Sequence, residues 1–402
     1  MTDPSRVRVT GPLVPYVDGL FAELAGLGYS AEVIANHLRL MAHLSRWLAS
    51  HDMDGRQLTP QRVAQFLAVR RDEGYARLVS ERGFSNLLNY LRRLDVVPPV
   101  PQVESTPVQA VLDSFAGYLV RERGVIPKTV VRYEAVARLF LSNSLSTTGA
   151  LHLEDLAAGG VTEFVLRECR RRSVGSAKDV VAGLRSLLRF LHVEGLTPRQ
   201  LAPAVPTVAG WRGSSLPRAL GPDEVGRLLV SCDRATAVGR RDYAILTLLV
   251  RLGLRAGEVA ALELQDVDWR RGEIVIRGKG RRHERLPLPV DVGEAVVDYL
   301  RCGRLHKCGA ELFMRARAPQ LRLGSDAVQA VVRHAAERAG LPAMGAHRLR
   351  HTAATEMLRA GAPLPEIGQV LRHRSLRTTA IYAKVDRTAL RTLALPWPGG
   401  PA

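Results

Sequence analysis

Residues 344–385 read MGAHRLRHTAATEMLRAGAPLPEIGQVLRHRSLRTTAIYAKV. His347 and Arg350 stand three apart, so a helix through this stretch puts them one turn apart on one face. Leu349, Ala353, Ala354, Met357 and Leu358 supply the apolar side that buries such a helix. His373 follows, and Tyr382 comes after it. A guanidinium and an imidazole held against one anion, with a hydroxyl in reach, is what attack on a phosphate requires.

The runs H-R-L-R-H-T and L-R-H-R-S-L-R-T-T-A-I-Y resemble the second signature block of the tyrosine recombinases, the phage-integrase family. That family's first block, an arginine in a G-L-R-x-G-E setting, has its counterpart upstream in Gly253-Leu254-Arg255-Ala256-Gly257-Glu258. Between the blocks, Gly278-Lys279-Gly280 falls in an expected hairpin turn, where the family keeps a lysine. The resemblance implies a catalytic set of Arg255, Lys279, His347, Arg350, His373 and Tyr382. In that set Tyr382 is the nucleophile and forms a phosphotyrosine that conserves the bond energy, while Arg255 and Arg350 grip the non-bridging oxygens. Lys279 is the acid for the leaving 5′-oxygen, His347 assists proton transfer from the tyrosine, and His373 bonds a phosphate oxygen. Arg281, Arg282 and Arg285 beside Lys279 are expected to touch DNA as ordinary phosphate contacts. One departure stands out. Arg372 occupies the place before the second histidine where the family usually has glycine, and it is expected either to add a phosphate contact or to alter packing at the end of the preceding helix.

A zinc reading of His347 and His351 fails on chemistry, because H-R-L-R-H lacks a zinc-protease glutamate and its arginines would repel the ion. His351 is then a packing or hydrogen-bonding residue. Cys169, Cys232, Cys302 and Cys308 are scattered and lack paired metal-ligand spacing, so they read as isolated thiols. No cofactor or metal is expected.

The 402-residue chain has room for two or three cores. Its 57 lysines and arginines against 39 acidic residues leave a formal charge of +18, which predicts a polyanionic partner, double-stranded DNA. No apolar run approaches the ~20 residues that span a bilayer, and no signal-peptide pattern opens the chain. A cytoplasmic, nucleoid-associated protein without a membrane partner is therefore expected.

Residues 1–20 read as a loose lead-in. Val33, Ile34, Leu38, Met41, Leu44 and Leu48 recur at helical spacing, and Thr59-Pro60 opens another helix around Val63, Phe66 and Leu67. After a proline-rich stretch from Val97 to Pro107 the plan repeats. Leu87-Leu88-Asn89-Tyr90-Leu91 matches Leu187-Leu188-Arg189-Phe190-Leu191 and Pro98 matches Pro198; Val63 and Phe66 match Val161 and Phe164; Trp47 matches Phe140. This predicts two tandem helical domains of SAM-like type, residues 1–100 and 107–200, the second resembling the family's core-binding domain. A Pro-, Gly- and Ser-rich linker covers 201–217, and the catalytic domain runs over 218–402. Within it, strands at Glu273–Ile276 and Arg285–Leu288 are expected among helices. The fold class is mainly α with a small antiparallel β-sheet, the last domain being of tyrosine-recombinase α+β type.

The functional expectation is a site-specific recombinase or integrase of a mobile element or prophage, acting through a 3′-phosphotyrosyl intermediate and assembling as a homotetramer on paired sites. Accessory proteins remain open. A type IB topoisomerase-like enzyme and a non-catalytic DNA-binding protein are the alternatives. The apolar residues Ala389, Leu390, Leu393 and Leu395 after Tyr382 are expected to dock on a neighbouring protomer, as the resemblance implies.

Overall fold

The computed structural model describes residues 3–99, 106–145, 150–209, 218–278, 283–304, 309–373 and 375–385. By contact the chain divides into two compact units, residues 1–99 with 215–402 and residues 100–214.

In the first hundred residues, hydroxyl caps start the helices. The side chains of Ser30, Thr59 and Ser80 accept the amides of Val33, Arg62 and Gly83, meeting donors a helix start leaves unpaired. The helices are α1 (Val17–Gly26), α2 (Ala31–Ser50), α3 (Pro60–Asp72) and α4 (Glu81–Arg93). They close over a core containing Leu38, Leu44, Phe66, Phe84 and Leu91. The lead-in is more ordered than expected: Leu13 and Leu20 are fully buried in this core. A short α1 with only Leu20 and Leu24 buried offers too thin a stripe to be recognised from spacing alone.

The unit formed by residues 100–214 contains α5 (Pro107–Arg121), α6 (Pro127–Asn143), α7 (Ala158–Arg170) and α8 (Val174–Val193) around Phe115, Phe140, Phe164 and Phe190. Apart from the prolines, the residues matched across the repeat fall on corresponding helices. Trp47 and Phe140 lie on α2 and α6, Val63–Phe66 and Val161–Phe164 on α3 and α7, and the leucine trios on α4 and α8. The apolar matches are core residues except Trp47, which packs against its core half-buried, while the matched Asn89 and Arg189 are exposed and Pro98 and Pro198 lie outside the cores. The stretch read as linker begins inside this bundle, because Leu201, Ala202 and Val205 are apolar and bury against it.

From residue 218 onward the elements are α9 (Pro222–Val230), α10 (Ala237–Leu252), α11 (Ala256–Ala260), β1 (Val267–Asp268), β2 (Glu273–Arg277), β3 (His283–Pro287), α12 (Val290–Cys302), α13 (Ser325–Arg338), α14 (Ala346–Arg359), α15 (Leu364–Val370) and α16 (Leu376–Thr379). A 3₁₀ segment, Ala380–Val385, follows directly. The strands form one antiparallel sheet in the order β1-β2-β3, with Ile274 paired to Leu286 and Arg277 to His283. The expected hairpin is present, and β1 adds an edge strand too short for periodicity to reveal. Ile274, Ile276 and Leu286 turn inward to a core shared with α10, α12 and α13. Among the described residues no helix is long and apolar enough to cross a membrane.

One backbone position sets the geometry that follows. Gly253 ends α10 in the left-handed region at φ +58°, and a Cβ there would lie 2.6 Å from Leu371 Cδ2 and 3.3 Å from Ala353 Cβ. Turn and close packing both demand glycine. Gly253→Ala is therefore expected to destabilise the fold by roughly 1–3 kcal/mol, read as a lower urea midpoint at unchanged slope.

Candidate active site

The turn after Gly253 delivers Arg255 to the N-terminus of α11. There Glu258 folds back, its Oε2 accepting the Arg255 amide at 2.7 Å and its Oε1 accepting Arg255 Nη1 at 2.6 Å. A glutamate three residues into a helix is well placed for this reach. The Arg255 side chain stays about half exposed (47%) and donates through Nη2 to the Arg372 carbonyl. Fixed at its base and open at one side, it has donors to offer an incoming anion.

Arg350 on α14 is the opposite case. It is 1% exposed, and it donates through Nη1 to the Gly253 carbonyl at 2.6 Å and through Nη2 to the Leu371 carbonyl. Burial first, and then the charge of Arg255, lowers its pKa to about 10, so it remains a cation at neutral pH. Its helix thereby carries a fixed positive charge into the core between the ends of α10 and α15.

Tyr382 packs into a small apolar cluster with Ala354, Ile367 and Leu371 and is 1% exposed. Its hydroxyl lies 3.0 Å from His351 Nδ1. Burial raises the phenol's pKa, and Arg350 opposes this. His351 itself is held down to about 4 by burial, then by His347 and Arg350. With the neutral ring in its Nε2–H tautomer, Nδ1 accepts and the phenol donates its proton toward His351. His347 lies one helical turn back, its ring centroid 4.4 Å from that of His351, and its pKa is lowered by burial, Arg350 and Arg255. His373 stacks nearly parallel to the Tyr382 ring, 8° between planes at 6.3 Å, and its Nδ1 lies 2.8 Å from Thr379 Oγ1. It too sits at about 4, through burial and then Arg350 and Arg255.

Arg372 alters the packing at the end of the preceding helix, one of the two outcomes expected of it. Its side chain, 5% exposed, turns inward, with Nη2 2.9 Å from Glu258 Oε2 and Nη1 2.8 Å from the Val370 carbonyl. Its backbone sits at φ +55°, the left-handed conformation that favours glycine. The buried carboxylate explains the direction: Glu258 needs more positive charge than Arg255 alone supplies. Burial would raise the Glu258 carboxyl, but Arg372 and the hydrogen bonds from Arg255 outweigh it and hold it below its ordinary value.

The structure thus brings together Arg255, His347, Arg350, His373 and Tyr382. Lys279, Arg281 and Arg282 lie outside the described residues, as do residues 386–402 with the expected docking tail. Arg285 is exposed on β3 and pairs with Glu273 at 3.1 Å. Two residues had been given no part in the chemistry. Glu258 holds two arginines, and its spacing from Arg255 was the available signal. His351 meets the tyrosine hydroxyl, and only its helical offset from His347 hinted at that.

Comparison with known proteins agrees with this geometry. The model of the phage integrase family matches residues 218–388. The chain is 40% identical over 395 residues to y4rA of Sinorhizobium fredii, named as an integrase/recombinase, covering 97% of this chain and 95% of that protein. It is 32% identical to the tyrosine recombinase XerC of Oceanobacillus iheyensis, over 70% of this chain and 93% of XerC. In fold it is similar to the site-specific recombinase XerH, solved bound to palindromic difH substrate in a post-cleavage complex, with a TM-score of 0.56, 20% identity, and coverage of 83% and 94%. The chain belongs to the phage integrase family of tyrosine recombinases. Its chemistry is that of a tyrosine-type site-specific recombinase, DNA strand breakage and rejoining.

The neutral histidines make a pH prediction. His351 and His373 titrate near 4 in the folded chain but near ~6.5 when unfolded. Between those values the unfolded state binds more protons, so stability falls as pH drops through this window and levels off below it. Thermal unfolding across that range is expected to show the decline, and His351→Gln with His373→Gln is expected to flatten it.

Proposed function

We propose that the Tyr382 hydroxyl attacks a DNA phosphodiester, forming a 3′-phosphotyrosyl bond and releasing a 5′-hydroxyl strand; the 5′-hydroxyl of the strand cut in the paired duplex then attacks that phosphorus, joining the two DNAs and returning the phenol. The observation that carries the reading is the Tyr382 hydroxyl paired to a neutral histidine beside the buried charge of Arg350. Arg255 and Arg350 stabilise the charge on the non-bridging oxygens, since donors fixed in advance need no reorganisation as charge develops. His351 orients the phenol and receives its proton, with His347 next to it as the outlet. His373 bonds a phosphate oxygen. Lys279 protonates the departing 5′-oxygen, with Arg281, Arg282 and Arg285 as phosphate contacts around it. Tyr382 is sheltered in this state, so cleavage involves displacement of its 3₁₀ segment.

The same reading takes residues 1–100 and 107–200 as tandem helical domains and 218–402 as the catalytic domain. Four chains act on two paired sites of a mobile element or prophage, in the nucleoid, with the segment after Tyr382 docking on the neighbouring chain.

A nicked suicide duplex tests the chemistry. Tyr382→Phe is expected to abolish covalent trapping while DNA affinity stays within a few fold, because no positive charge is lost. Trapping by that variant would remove Tyr382 from the role. Arg255→Ala is expected to slow trapping by about 10²–10³-fold, the cost of losing one donor to a developing oxyanion, with a much smaller loss of binding. An equal loss of both would make Arg255 an ordinary phosphate contact.

A further inference from the structure

The first hundred residues contain a feature that the chemistry at Tyr382 does not use. A cavity of about 530 Å³ between α2, α3 and the segment after α3 is lined by Arg8, Arg39, His43, Arg46, Arg70 and Arg77. Its innermost guanidinium is unusual. Arg70 is 5% exposed, stacks 4.2 Å over the Tyr75 ring, and donates through Nη1 to His43 Nδ1 at 2.9 Å and through Nη2 to the Arg77 carbonyl. Its Nε is buried without a hydrogen-bond partner. No carboxylate bonds it directly. Glu73 bonds His43 at 3.4 Å from Nε2 and acts on Arg70 only by its field, while burial lowers the pKa of both Arg70 and His43. A buried guanidinium with no carboxylate bonded to it among the described residues calls for an anion.

The rim supplies the rest of the receptor. Arg8, Arg39, Arg46 and Arg77 are exposed around the opening. Glu32 approaches Arg77 only to 3.7 Å, and among the described residues neither Arg8 nor Arg46 has an ion-pair partner. Guanidiniums spread around an open mouth suit a charge carried on a long polymer better than a small molecule that must be enclosed.

We infer that this cavity is a second phosphate-binding site, which takes a backbone phosphate of duplex DNA at a distance along the chain from the catalytic residues. The inference rests on the reading of the chain as a DNA-acting enzyme, and it assigns the first helical bundle to DNA and not to another protein. Backbone phosphate contacts carry no base preference, so the site adds grip and register, not sequence choice.

The test uses the full chain and a short labelled duplex, with anisotropy measured over a series of salt concentrations. Arg8→Ala/Arg46→Ala is expected to weaken binding several-fold and to make the salt dependence shallower by about one to two phosphate equivalents. Arg70→Lys, which keeps the charge but not the planar fork, is expected to weaken binding less than the rim pair does. Arg56→Ala/Arg82→Ala, exposed positions outside the cavity, serve as the control. The inference is overturned if the rim pair leaves affinity and salt slope unchanged, or if the control pair has the same effect. It is also overturned if single-duplex affinity holds while pairing of two duplexes fails, which would make the cavity a seat for an acidic protein segment. Covalent trapping by the unaltered chain, run alongside, tests the reading of Tyr382 separately from this site.

Discussion

The site depends on a cation placed where cations are costly. Arg350 is almost fully buried, and a buried guanidinium persists only if its donors are answered. Two main-chain carbonyls, those of Gly253 and Leu371, do this from different elements. Each such bond to a charged group is worth about 1.5–3 kcal/mol. The end of α10, the body of α14 and the end of α15 are therefore locked in mutual register by one side chain. The arginines and histidines of the site hang from those three elements, while Tyr382 comes from the 3₁₀ segment that follows. Gly253 leads straight to Arg255, Leu371 leads straight to Arg372 and His373, and α14 carries both His347 and His351.

Around that charge the protein arranges a second constraint of opposite sign. Glu258 is the carboxylate among these guanidiniums, and it holds Arg255 and Arg372. Arg372 accepts a strained left-handed backbone to reach it, a position where glycine would rest more easily. Charge balance at Glu258 is weighed against backbone strain at Arg372. The ion pair is buried on both sides, where pairing counts for most.

Much of this is legible in the sequence. Helices with broad apolar stripes and hydroxyl caps, such as α2 and α3, are specified locally, and so is the β2–β3 hairpin. The apolar residues aligned between the first hundred residues and the next fall on helices in the same order, α2, α3 and α4 against α6, α7 and α8. The two signature blocks brought Arg255, His347, Arg350, His373 and Tyr382 to one list through resemblance, and the fold brought them to one place. What escaped was set by pairing between distant residues. Nothing near Arg372 in the chain announces Glu258, 114 residues earlier, as its partner. Likewise His351 meets Tyr382 because α14 and the 3₁₀ segment share an apolar cluster, and no local pattern records that.

The imidazoles beside these guanidiniums are empty proton sites at neutral pH, kept so by burial and by surrounding positive charge. A phosphate entering the site brings the opposite field. The electrostatic part of the depression is then offset, and the affinity of the imidazoles for protons rises. Binding of the duplex and uptake of protons from solvent are in this way linked functions of one cluster. By reciprocity, acidity strengthens the engaged state relative to the free one, although the phosphodiester itself does not titrate in that range. Any such coupling is seated in His347, His351 and His373, whose pKa values are all lowered in the free chain.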